Sequence, residues 1–113
     1  MALELDRAGI LENFMDDEEL LFESIDLFLE RVSARMAELK KAVADKNPET
    51  YMPEAHTLKG MIGIFSTGGA FECAKKLEMK GREKVTDGID EDLQALENEV
   101  ESLVTALRTW RSE

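Results

Sequence analysis

The sequence predicts an all-α protein, an antiparallel four-helix bundle with a short extra N-terminal helix, and three observations carry that expectation. The 113-residue chain is rich in Leu, Glu, Ala, Lys and Met, residues that lose little on entering a helix. Only two prolines and seven glycines interrupt it, and runs of Val, Ile and Thr at alternating spacing are missing. Apolar residues recur instead in threes and fours, which gathers them on one side of a helix.

The first helix is short. Asp6 is its N-cap, and Leu5, Ile10, Leu11 and Phe14 supply an apolar side. Asp16 and Asp17 open a longer second helix, where Glu18 and Glu19 suit the positive end of the dipole. Its stripe runs Leu21, Ile25, Phe28, Val32, Met36, Leu39, Val43, and it should end between Asp45 and Asn47. Asn47-Pro48 reads as an N-cap followed by proline in the first turn of a third helix, which carries Tyr51, Ala55, Leu58, Ile62 and Phe65 on one face. Pro53 lacks a backbone donor, so the regular helix should begin nearer Thr50 or bend at the proline. Thr67-Gly68-Gly69 breaks the run, with Ser66 or Thr67 capping a fourth helix that buries Ala70, Phe71, Ala74 and Leu77 and stops at Gly81. After a loop from Val85 to Gly88, Asp87 or Asp90 caps a last helix with the stripe Leu93, Leu96, Val100, Leu103, Leu107, Trp110. That stripe could form a coiled-coil seam, but at under about three heptads it reads as a bundle face, and a monomer is expected.

Hydrophobic residues make up 43% of the chain and charged residues 35%, the balance of a single globular domain over residues 1–113. A net charge of -11 is repelled by nucleic-acid phosphates and anionic bilayers, so neither is an expected partner. Cations concentrate locally at Lys59, Lys75, Lys76, Lys80, Arg82 and Lys84. Cys73 is alone and cannot pair within the chain, which suits a reducing cytoplasm and reads as a small core or boundary residue. No apolar run approaches the roughly 18–20 residues that cross a bilayer, and Met1 to Arg7 lack a signal-peptide layout. One histidine and one cysteine cannot build a usual transition-metal site. Nothing resembles a Gly-rich phosphate loop or a serine nucleophile elbow, so ATP binding and hydrolase chemistry have no support.

His56, the chain's only histidine, is the candidate for chemistry. Projected at about 100° per residue, Leu58, Phe65, Ile62, Tyr51 and Met61 fall within roughly 60° of one core direction. His56 then points to solvent among Met52, Pro53, Lys59, Gly60 and Gly63. Each glycine in a helix interior costs about 1 kcal/mol against alanine, a cost that makes sense where another molecule must approach. Close helix packing is the alternative, and the projection away from the core argues against it. Lys59, one turn on, can reach back toward a group carried on the ring. An exposed, neutral imidazole is a good nucleophile near neutral pH. The pattern suits a phosphoryl acceptor.

The stretch Ala55-His56-Thr57-Leu58-Lys59-Gly60, followed by Gly63, Phe65, Cys73, Leu77 and Glu78, resembles the signature of histidine phosphotransfer domains of two-component phosphorelays. The resemblance implies a four-helix bundle with phosphohistidine at His56, Lys59 on the phosphoryl group, and Gly60 and Gly63 admitting a receiver domain. It implies a carrier with no ATP site or cofactor of its own, the receiver supplying the aspartate and Mg²⁺. The expected partners are a response-regulator receiver domain and a sensor or hybrid histidine kinase. Met61, Ile62, Ile64, Ser66 and the position of Cys73 depart from the signature and bear on which receiver docks. Met52, Pro53 and Ile64 join the glycines as expected partner contacts. Lys76 and Lys80, most simply a solvated helix face, are assigned as further contacts that attract a receiver's acidic pocket. Two other readings are a helical adaptor that binds without accepting phosphate, and the phosphoacceptor module of a chemotaxis-type kinase. The methionine start and the lack of a trailing linker favour a stand-alone protein over the latter.

Overall fold

The computed structural model describes residues 3–66 and 68–113. They form five helices, α1 (Arg7–Asn13), α2 (Glu18–Ala44), α3 (Pro48–Gly63), α4 (Gly69–Arg82) and α5 (Ile89–Ser112), with no strand among the described residues. α2 through α5 each pack on the next, and α5 closes the ring against α2. The 27-residue α2 spans about 40 Å at 1.5 Å per residue, which matches the long dimension of the molecule, 40 Å. The shorter α3 and α4 lie side by side against the longer pair.

Most of the expected caps form. Asp6 accepts from the Gly9 amide, Asp17 from Leu20 and Asn47 from Glu49, each satisfying a donor that the first turn of a helix leaves free. α3 runs from Pro48 through Pro53 without interruption, so its start is not delayed to Thr50. One proline inside the helix removes one backbone bond, and the four side chains of α3 that are wholly buried, Tyr51, Ala55, Leu58 and Ile62, outweigh that loss.

Two helix starts differ from expectation. α4 begins after Gly68 without a side-chain cap, the Ser66 hydroxyl instead accepting from the Gly68 amide; Thr67 lies outside the described residues. α5 begins after Gly88, whose φ of 73° is the left-handed conformation that glycine adopts at little cost. Asp90, with Glu91 and Asp92, sits inside the first turn of α5, where it complements the dipole. Gly81 does not stop α4 either. It is buried inside the last turn, and a Cβ there would meet Met52 Cβ at 2.5 Å.

The apolar stripes of α2, α3, α4 and α5 meet in one core that includes Leu21, Ile25, Leu39, Leu58, Ile62, Leu77, Leu96, Leu103 and Leu107, and the whole predicted α5 stripe is buried within it. Phe71 is only partly buried at its edge. α1 closes one end: Ile10 is buried, and Phe14 stacks on Phe65, which meets Phe28 edge-on. Arg7 lies over Trp110 and pairs with Glu113, tying the start of α1 to the end of α5.

Candidate functional site

α3 presents four kinds of face, and its neighbours explain each. The core face is the buried quartet. On the α4 side, Met52 packs against Gly81, and a Cβ at Gly63 would lie 3.2 Å from the Phe71 ring. On the α2 side, Glu54 approaches Arg35 at 4.0 Å. Between these flanks and away from the core, Pro53, His56, Thr57, Gly60 and Ile64 are exposed.

His56 keeps 60% of its side chain exposed, yet one ring nitrogen is held from below. Nδ1 lies 2.5 Å from Glu78 Oε2 on α4. Glu78 is only 2% exposed, the most deeply buried charged residue among those described. Lys59 Nζ contacts its other oxygen at 2.5 Å, and Arg82, one turn further along α4, donates to Oε2 at 3.2 Å. Burial by itself pushes the Glu78 carboxyl up, but hydrogen bonds from Lys59, His56 and Arg82 outweigh it and draw the group down to about 2. Glu78 is therefore an anion at neutral pH and can only accept. The proton in the His56 contact sits on Nδ1, which leaves Nε2 of a neutral ring unprotonated and directed outward. A buried carboxylate thus selects the tautomer and orientation of an exposed imidazole.

The sequence-predicted residues separate in this geometry. His56 and Lys59 converge on one carboxylate, and Lys59, expected to reach toward the ring, is bonded to Glu78. A Cβ added at Gly60 meets nothing within 4 Å, so the space beside His56 is open. Gly63 is partly a packing glycine, because Phe71 rests against it, and Met52 is half-buried under α4 for the same reason. Pro53 and Ile64 are exposed as expected.

Lys76 and Lys80 do not stand free. Both reach Asp92 of α5, at 3.2 and 2.5 Å, and Lys80 also donates to the Asp87 carbonyl. Asp92 is 9% exposed, and a carboxylate with so little water requires a cation. Beside it, Tyr51 Oη donates to the Val85 carbonyl at 2.6 Å, fastening the α4–α5 loop to α3. Cys73 is half-buried, and burial pushes its thiol up, which suits an inert boundary residue.

Glu78 and Arg82 are the residues to which sequence reasoning assigned no role. Glu78 had a signal: Ala70, Ala74, Leu77 and Gly81 trace the buried face of α4, and Glu78 interrupts that face where an apolar residue belongs. Projecting α4 as α3 was projected exposes it. Arg82 had none, because a basic residue in the last turn of a helix is ordinary.

No curated protein matches this sequence. Among solved structures, the crystal structure of the HPT domain from the Hpt sensor hybrid histidine kinase of Shewanella superposes with a TM-score of 0.82 over 96% of this chain and 93% of that one, at 14% sequence identity. That likeness concerns the fold. The Hpt domain family model matches residues 23–110, which contain α3, α4 and the cluster of His56, Lys59, Glu78 and Arg82. Since that match spans well over half of the sequence and includes the exposed histidine held by a buried carboxylate, the chain belongs to the Hpt domain family, the histidine phosphotransfer domains of two-component phosphorelays.

Proposed function

We propose that this domain is a cytoplasmic phosphorelay intermediate, taking a phosphoryl group onto His56 from a kinase or receiver-domain aspartate and passing it to a response regulator. The observation that carries the reading is the 2.5 Å contact of His56 Nδ1 with Glu78, which leaves Nε2 as an outward lone pair on a rigid helix. Attack by Nε2 on the phosphorus of an aspartyl phosphate forms the N–P bond as the P–O bond to the aspartate breaks, and the carboxylate leaves with that electron pair. The proton on Nδ1 stays against Glu78, whose negative charge offsets the positive charge that builds on the ring. Lys59 and Arg82 already sit on Glu78, and either side chain can turn to the phosphoryl oxygens once these arrive. Mg²⁺ held by the receiver would neutralise those oxygens during transfer. Gly60 leaves room for the receiver's loops, and the chain acts as a carrier without an ATP site.

The test is incubation of the domain with receiver domains phosphorylated by a small acyl phosphate, followed by recovery of acid-labile label. Label on the wild type and none on His56→Gln is expected. Equal labelling of both overturns the reading, and a stable complex that never becomes labelled marks an adaptor instead.

A further inference from the structure

A groove of about 310 Å³ runs between α2 and α3, directly beside the exposed strip that carries His56. Thr57, Met61 and Ile64 form its α3 wall. Leu27, Arg31 and Arg35, four residues apart and so on one face of α2, form the other. Leu27 and Ile64 keep 43% and 46% of their surface exposed, among few large apolar residues to do so. The two arginines place positive charge at this edge of a chain of net charge -11. Among the described residues Arg31 has no carboxylate within ion-pair distance, and Arg35 has only Glu54 at 4.0 Å, a separation without a hydrogen bond. Lys76 and Lys80, by contrast, are committed to Asp92. Lys59 and Arg82 rest on Glu78 beneath His56, so among the described residues the cations that line this groove without a hydrogen-bonded carboxylate are Arg31 and Arg35 of α2.

We propose that this groove selects the partner, and that Arg31 and Arg35 choose a receiver domain whose docking face joins an apolar ridge to carboxylates. The proposal rests on the phosphorelay reading and adds a specificity rule to it. A protein reaching His56 across Gly60 meets Thr57 and Ile64 next, and then the groove. An apolar ridge seated there covers Leu27, Met61 and Ile64. Carboxylates beside the ridge pair with guanidinium groups whose one competing contact among the described residues is the 4.0 Å approach of Glu54 to Arg35, while partners lacking them leave two cations facing apolar surface. The overall negative charge repels acidic proteins elsewhere, so the attraction is confined to this edge and orients the encounter.

The test uses the intact domain, its Arg31→Glu/Arg35→Glu variant and its Lys75→Glu variant, against a panel of purified receiver domains that differ in acidic content on the surface around the phosphorylated aspartate. Binding without phosphate and transfer of label to His56 are both read. Acidic receivers should lose about ten-fold in binding and transfer with the double variant, with a flatter dependence on salt. Non-acidic receivers and the Lys75→Glu variant should change by less than about two-fold, and Lys substitutions on an acidic receiver should restore the double variant. A uniform loss across the panel, no loss for any receiver, or no receiver binding at all overturns the proposal. Selective binding that follows the arginines without any label on His56 would support the groove while removing the phosphocarrier reading. Circular dichroism and thermal unfolding of the double variant establish that the fold survives.

Discussion

Replacing Glu78 by Gln removes one negative charge from beneath His56 and leaves the volume almost unchanged. The carboxyl is held at about 2 against an ordinary 4.5, and each pKa unit corresponds to about 1.4 kcal/mol, so the charged form contributes roughly 3 kcal/mol to the fold at neutral pH. With 3% of the side chain exposed, little of this is lost to solvent screening. Arg82, itself 61% exposed, is the weakest of the three donors. The sign follows from proton counting. Between about pH 2 and 4.5 the unfolded chain holds a proton on Glu78 and the native one does not, so stability falls with pH across that window and is fully present above it. Urea unfolding of wild type and Glu78→Gln should therefore differ by about 3 kcal/mol near pH 7 and by only about 1.4 kcal/mol near pH 3. The other carboxylates cancel in that difference, because both proteins carry them. Heating should show a fall on the order of 10 °C for the variant at neutral pH. A stability difference that stays the same from pH 7 to pH 3 would refute the reasoning, since it would mean that Glu78 acts by packing and not by charge. The same variant should slow labelling of His56, because an amide can accept from neither cation as a charge and no longer demands the proton on Nδ1.

Gly60→Ala should stabilise the fold by about 1 kcal/mol while slowing phosphotransfer, because its Cβ meets nothing of its own chain and only a partner can object to it; urea titration and a labelling time course separate the two effects. Gly81→Ala should destabilise by about 1–3 kcal/mol, since its Cβ would meet Met52 Cβ at 2.5 Å and backbone at 3.1 Å, and differential scanning would show the lowered melting temperature. Lys84→Gly and Lys46→Gly should each stabilise by up to about 1 kcal/mol, as both lysines occupy left-handed backbone at helix ends, φ 59° and 51°. Unchanged melting temperatures would show that those turns carry no strain. Tyr51→Phe should cost about 1 kcal/mol through loss of the bond to the Val85 carbonyl, measurable by the same unfolding curves.

Much of this protein was legible before its coordinates. Helix number, order and facing follow from apolar spacing, because a helix that buries one side must repeat about every 3.6 residues. The stripes from Leu21 to Val43 and from Leu93 to Trp110 name their buried faces directly. Asp6, Asp17 and Asn47 were readable as caps because capping is local chemistry, settled within one turn. The α4 and α5 starts were not, since Gly68 and Gly88 begin helices through backbone conformation and provide no side-chain signal. The exposure of His56 was local too, being a matter of one helix and its own core face.

What the sequence by itself determined, then, is what side-chain chemistry within one helix decides: the capped starts of α1, α2 and α3, which side each helix buries, and that an imidazole on α3 meets solvent with Gly60 beside it. The tertiary structure decided whatever depends on two helices meeting. It brought Glu78 of α4 beneath His56 and gave Lys59 a carboxylate in place of open water. It turned Gly63 and Gly81 into contact points for Phe71 and Met52, and bound Lys76 and Lys80 to Asp92 while giving Arg31 no carboxylate among the described residues. The physical reason is that charge pairing and close approach fall off within a few ångströms. Residues 22 positions apart, as His56 and Glu78 are, acquire a distance only when the bundle closes.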